Sequence, residues 1–310
     1  MLRSLLLLVL PLKMFAQDPA SHDPSTIIND AGKYYFFSTG HGITVQTSTD
    51  LKNWQQAESV FKKGSWPEWV NTSVPGFKGH FWAPDVLKMN GKYYLYYSCS
   101  TFGSSTSAIG LATNVTLDQK SPDYQWQDEG MVIESKDRKG FNAIDPSLLQ
   151  DTDGRVYLTY GSFFGGIGTV ELDASTGKIK DGASVTRVAG GNASDWEAAC
   201  LTKEGNYYYL FVNNGQCCKG VNSTYYIVVG RSEHPLGPFL DAEGKDLTKG
   251  GGTLVLRTSG RYIGPGHVGL LKEKKQVSIH YYDAEDNGKS KQKRLSLSYK
   301  KGWPILTENK

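Results

Sequence analysis

Several things are scarce in this 310-residue chain. It has only four cysteines, too few for a disulfide framework, and a chain this long can fold on its own core. Those four are Cys99, Cys200, Cys217 and Cys218. The adjacent pair suits no zinc site, since neighbouring side chains do not easily chelate one metal. Pairing of Cys200 with one of them, or buried free thiols, both remain open. Net charge is scarce too. The formal value is +3, and charged residues make up 21%. A dedicated nucleic-acid binder needs clustered Lys and Arg to neutralise phosphates, so that class is excluded. There is no Gly-rich phosphate loop opening a helix, no G-x-S-x-G elbow and no His pair at zinc spacing. Amphipathic helical periodicity is also missing. The only strongly apolar run, Leu5–Leu10, is too short to span a bilayer. Arg3 precedes it, Pro11 and Lys13 interrupt it, and Ala16 offers a small residue for cleavage. Residues 1–16 therefore read as a signal peptide, and 17–310 as one exported domain, secreted or periplasmic.

What the chain has in plenty is glycine (35), tyrosine (18) and phenylalanine (12). These fall into a repeat. Gly32-Lys33-Tyr34-Tyr35-Phe36-Phe37, Gly91-Lys92-Tyr93-Tyr94-Leu95-Tyr96, Gly154-Arg155-Val156-Tyr157-Leu158-Thr159 and Gly205-Asn206-Tyr207-Tyr208-Tyr209-Leu210 are alike. A weaker fifth copy begins at Lys275 and ends at His280. Successive starts are 59, 63, 51 and 70 residues apart. Each copy is a turn followed by an aromatic or β-branched strand. Five units of about 60 residues, each with room for about four strands, describe an all-β, five-bladed β-propeller, with a β-sandwich as the rival.

Each turn is preceded by one ionisable residue at a similar distance. Asp23, Asp85, Asp145, Glu197 and His267 stand 9, 6, 9, 8 and 8 residues before their turns. If the intervening strand is the innermost of each blade, four carboxylates and a histidine converge on one channel mouth. An Asp before Pro commonly caps a turn, which explains a single copy. Five matched positions point further, to chemistry that uses carboxylates with opposed protonation states. Glycoside hydrolysis does so: one carboxyl stays protonated and another stays ionised. The aromatic residues supply platforms for sugar rings.

The ordered motifs carry a family resemblance over most of the chain, from Asp23 almost to the C-terminus. HDPS at 22–25, GKYYFFSTG at 32–40, WAPDV at 82–86, STFGSSTSAIGLATN at 100–114 and AIDPS at 143–147 open the series. YGSFFGGI at 160–167, CCKGVNSTYYIVVGRS at 217–232 and GPGH at 264–267 complete it. Together they resemble glycoside hydrolase family 43 and, within it, the endo-1,5-α-L-arabinanases. The resemblance implies a five-bladed propeller and an inverting mechanism on arabinan. It implies Asp23 as general base, Glu197 as general acid, and Asp145 as the carboxylate that tunes and orients Glu197. It implies His267 as the anchor of a metal, usually calcium, held largely through water. One imidazole alone is a poor calcium site.

Other positions have two readings. Phe102 is a substrate platform or a core residue. Trp82 and Asp85 line the site or brace the second blade. Ser162 contacts sugar hydroxyls or ends a strand. His22 supports the loop beside the base, and His41 is a candidate for the substrate face. The chain also departs from the family pattern. Glu197-Ala198-Ala199-Cys200 has Ala199 where proline is usual, which removes a fixed backbone angle. Phe164 stands where tryptophan is more usual. Two rival functions follow: an exo-acting arabinofuranosidase or β-xylosidase with the same carboxylates, and a catalytically silent glycan-binding propeller. The expected partner is a polysaccharide, with no nucleic acid, no membrane span and a monomeric state.

Overall fold

The turn-and-aromatic units do form blades. The structure, a computed structural model, describes residues 18–137, 140–191 and 195–309. The signal segment expected at 1–16 lies outside the described residues. Five antiparallel sheets follow one another along the chain. Blade 1 contains Ile28–Asp30, Lys33–Ser38, Thr44–Ser48 and Gln55–Ala57. Blade 2 contains His80–Met89, Lys92–Cys99, Ser107–Asn114 and Gln127–Ser135. Its inner edge gains a short strand, Gly40–His41, from the blade 1 loop. Blade 3 contains Ser147–Gln150, Val156–Tyr160, Ile167–Leu172 and Thr186–Ala189. Blade 4 contains Glu197–Glu204, Tyr207–Asn214, Tyr226–Ser232 and Thr253–Leu256. Blade 5 contains Tyr262–Leu271, Gln276–Asp283, Lys289–Lys300 and Trp303–Glu308.

The repeated turns set the hairpin register. Ala31 (φ 49°) and Gly32 (φ 85°) are both left-handed, as are Asn90 (φ 51°) and Gly91 (φ 73°). Two successive positive φ values make a type I′ turn, whose twist matches that of the flanking strands. The aromatic runs are unbroken because each blade is buried on both faces, where alternate side chains enter opposite seams. Tyr35 and Phe37 pack with Tyr93, Leu95 and Tyr97 between blades 1 and 2. Tyr94 and Tyr96 face the other way, onto Val156, Leu158 and Tyr160 of blade 3. Tyr157 joins Tyr208, Leu210 and Val212 between blades 3 and 4. Tyr209 and Phe211 meet Val277 and Ile279 between blades 4 and 5. Tyr34 and Phe36 meet Leu271, which completes the circle. Each such side chain contributes about 1.5–3 kcal/mol by burial.

The ring closes with very little N-terminal chain. The Ile27 N–H donates to the Leu270 carbonyl at 2.7 Å, joining the inner strands of blades 1 and 5. Gly269 permits that approach, since a Cβ there would lie 2.2 Å from the Ser25 carbonyl oxygen. Residues 19–21 lie along the third strand of blade 5. The Ser21 N–H donates to Ser290 O, and the Gln292 N–H donates to Pro19 O. Among the described residues, the one α-helix is Trp69–Ser73, and no helix is long and apolar enough to cross a membrane.

Candidate active site

Each inner strand contains, or is shortly preceded by, the same kind of bend. Asp23, Ala83, Asp145, Ala198 and His267 all have positive φ, between 42° and 58°. Few non-glycine residues adopt this conformation, and five in register mark a feature of the fold. Three of the bends are followed by proline: Pro24, Pro84 and Pro146. Ala199 occupies that place in blade 4, where the strand register still shifts between Glu197 and Cys200. The bend therefore forms without the proline.

This alignment corrects the sequence-based phase in two places. Glu197 stands one residue before its bend. Asp85 stands two residues after its own and does not join the carboxylate cluster. Its side chain is buried. One oxygen accepts the Thr26 N–H of blade 1 at 2.9 Å, and the other accepts the Leu148 N–H of blade 3 at 2.9 Å. Asp85 braces three blades together, with each oxygen engaged by a backbone N–H of a neighbouring blade.

Asp23 lies among imidazoles. Its Oδ1 is 3.3 Å from His280 Nδ1, and 3.6 Å from both His267 Nδ1 and His22 Nε2. Thr39 donates its hydroxyl to Oδ2 at 2.6 Å and accepts the Ala83 N–H at 2.8 Å. Burial alone would raise the Asp23 carboxyl. The His22 and His267 imidazoles and a hydrogen bond with His280 outweigh it, and hold the group well below the usual carboxylate range. The histidines shift the other way. Burial lowers His267, and lowers His280 to about 4.

Glu197 has no such imidazole shell. Burial pushes its carboxyl up to about 7, partly offset by hydrogen bonds from Ser162 and Tyr225 and reinforced by Asp23 and Asp195. The Ser162 hydroxyl donates to Glu197 Oε2 at 2.8 Å. Asp145 is raised well above its ordinary value, by burial first and then by repulsion from Glu197 and Asp23. One of its oxygens accepts the Ala198 N–H at 3.0 Å, which ties it to the backbone beside Glu197. The Asp145 N–H is itself held by the Ser98 hydroxyl at 3.0 Å. Half-buried Asp23 and buried Asp145 and Glu197 thus interact electrostatically, one favoured as the anion and two as the acid.

Residues 18–303 match the model of a family described as Glycosyl hydrolases family 43. The chain belongs to this family. It is 41% identical to the extracellular endo-alpha-(1->5)-L-arabinanase 1 of Bacillus subtilis, over 93% of this chain and 88% of that protein. It is 39% identical to the extracellular exo-alpha-(1->5)-L-arabinofuranosidase of Cellvibrio japonicus, over 99% and 92%. The solved structure of Cellvibrio cellulosa alpha-L-arabinanase complexed with arabinohexaose superposes with a TM-score of 0.88. That match has 38% identity and covers 94% of this chain and 96% of that one.

The rim of this family 43 site is formed by loops joining the second and third strand of each blade. These loops lie at the same end as the inner-strand bends, because each inner strand runs away from that end and the next strand returns. Phe102 lies in the blade 2 loop and is 88% exposed, so it is not a core residue. Phe164 is half-buried in the blade 3 loop. Neighbouring Phe163 donates its N–H to Trp196 O at 2.9 Å. Ser162 spends its hydroxyl on Glu197. Trp82 is half-buried, and its indole N–H donates to His80 Nδ1 at 3.0 Å. His41 is exposed and meets His80 edge-on, with ring centroids 5.0 Å apart. His22 stacks on His280 at 4.2 Å, consistent with support of the Asp23 loop.

The cysteines also resolve. Cys99 and Cys200 are buried free thiols, so Cys200 does not pair with the later cysteines. Cys217 and Cys218 are bonded to each other. His280, Tyr225 and Asp195 were missed in the sequence reading. His280 belongs to the weakest repeat, where only its alternation with Ser278 marked a buried face. Tyr225 sat inside a recognised motif without a role.

Proposed function

We propose that this protein is an inverting endo-1,5-α-L-arabinanase that cleaves internal α-1,5-linked arabinofuranosyl bonds. The observation that carries the chemistry is the opposed environments of two carboxyl groups, one half-buried and one buried. Asp23 lies well below the usual carboxylate range among its imidazoles and is ionised, and Glu197 is kept protonated up to about pH 7 by burial. An ionised base and a protonated acid are what single-step displacement by water requires. The relatives named above act on α-(1->5)-L-arabinan linkages by name, which supports the substrate.

In this reading Asp23 takes a proton from water as its oxygen bonds to the anomeric carbon. Glu197 gives its proton to the glycosidic oxygen as the old carbon–oxygen bond breaks. Asp23 is left protonated and Glu197 ionised, and exchange with solvent resets both. Asp145 orients the acid by holding the Ala198 N–H. Phe102, Trp82 and Phe164 offer ring faces to the sugar chain.

The resemblance also implies calcium near His267. Calcium takes six to eight oxygen ligands. Around His267 the structure offers one carboxylate, Asp23, and otherwise imidazoles, including the unpartnered buried Nε2 of His280. This donor set fits only a hydrated ion held through water, and no step above runs through it. The leader-like N-terminal residues and relatives named as extracellular support export.

Proton NMR of the first products from linear arabinan tests the mechanism. Newly released ends in the β configuration before mutarotation are expected. Ends that retain the α configuration would overturn the inverting assignment.

A further inference from the structure

The loop from Gly215 to Tyr225 leaves blade 4 at the carboxylate end and lies on blade 5. Three glycines make room for it. A Cβ would fall 2.2 Å from Ser223 Oγ if added to Gly264, 2.3 Å from the Tyr225 ring if added to Gly266, and 2.8 Å from Val221 N if added to Gly288. The loop is therefore closely seated. The Cys218 N–H donates to the Tyr282 hydroxyl at 2.6 Å, which fixes the cysteine pair. Cys218 is exposed, and its Sγ lies 3.6 Å from His22 Nε2. That nitrogen is itself 3.6 Å from Asp23 Oδ1. The disulfide thus stands one side chain away from the proposed base.

A staple role does not account for it. Disulfides stabilise by closing chain loops, and the effect grows with loop length. A bond between adjacent residues closes none. What it does create is a small rigid face of two soft sulfur atoms without strong polar groups, beside the imidazoles and carboxylate of the Asp23 shell. A furanose ring has carbon-bound hydrogens to set against such a face while its hydroxyls meet polar groups.

We propose that the Cys217–Cys218 disulfide is a specificity-determining contact of the saccharide site, touching the pentofuranose bound beside Asp23. This rests on the arabinan reading above and deepens it. Covering about 50 Å² of apolar surface corresponds to a roughly five- to tenfold gain in affinity.

The test uses the full chain carrying Glu197→Gln, so that arabinohexaose binds without being consumed. Calorimetric titration should give a Kd roughly five- to tenfold lower than for the triple variant that adds Cys217→Ala and Cys218→Ala. In parallel, the disulfide of the Glu197→Gln protein is reduced with a water-soluble phosphine. The phosphine is oxidised to its oxide, taking oxygen from water, and two thiols form. Saturating arabinohexaose should slow this reduction at least about fivefold, because the sugar covers the sulfur atoms. Protection separates contact from mere loop support, and it decides the matter if the triple variant does not fold. Binding without protection overturns the contact while leaving the arabinan reading in place. Four free thiols in the unreduced, denatured protein also overturn it. Failure of the Glu197→Gln protein to bind arabinohexaose overturns the arabinan reading, and this contact with it.

Discussion

Removing one hydroxyl should move the alkaline limit of activity upward. Ser162 donates to Glu197 Oε2 at 2.8 Å from a buried position, and that bond favours the ionised carboxylate. Ser162→Ala removes the donor and leaves the charged form less well solvated. The Glu197 carboxyl, already at about 7 through burial, should rise further. A hydrogen bond to a charged group contributes about 1.5–3 kcal/mol, and one pH unit corresponds to about 1.4 kcal/mol. Allowing for repacking around a small cavity, a shift of about one unit is expected. The assay is kcat/KM on linear arabinan across the alkaline range. The limb of the parent enzyme should fall near pH 7, and that of the variant about one unit higher. Activity lost at low pH in the variant is a separate matter and does not bear on the limb. An unmoved limb, or one displaced to lower pH, would refute the reasoning that Glu197 is the acid whose titration ends activity.

Three other outcomes follow. Glu197→Gln should stabilise the fold at neutral and alkaline pH. The folded carboxyl is raised above its ordinary 4.5 to about 7, so stability is lost as pH rises between those values; the difference reaches about 3 kcal/mol above pH 7 and vanishes below 4.5 in urea titrations. Asp85→Ala should cost about 2–4 kcal/mol by the same measurement, because it removes the acceptor of the buried Leu148 N–H and the part-buried Thr26 N–H in two neighbouring blades. Ala199→Pro should be accepted, since the bend already exists and proline follows the equivalent residue in three blades; a gain of about 0.4–1 kcal/mol, seen as a slightly higher Tm, is expected.

Much of this architecture could be read from the aromatic repeat, and for a physical reason. A blade is buried on both faces, so its second strand is apolar at every position instead of every other one. Tyr93 to Tyr97 is such a run, split between two seams. The positions of Asp23, Asp145 and His267 could be read from the distance to the turn. Asp85 could not, because distance counted from the turn ignores the bend within the inner strand. At that bend blade 2 carries Ala83, and the aspartate beyond it points into the joint between blades. The imidazole shell of Asp23 was only partly visible. His22 and His267 lie in motifs, whereas His280 comes from a strand 257 residues away with no motif of its own. Adjacency of Cys217 and Cys218 argued against a shared metal and drew attention away from the bond between them.

The most direct test of the central claim is a timed product profile on linear 1,5-α-L-arabinan, run with Glu197→Ala alongside. A spread of arabino-oligosaccharides at the earliest times, absent with the variant, is the predicted result. Arabinose alone from the first time point would contradict internal cleavage, and products undiminished in the variant would contradict Glu197 as the acid.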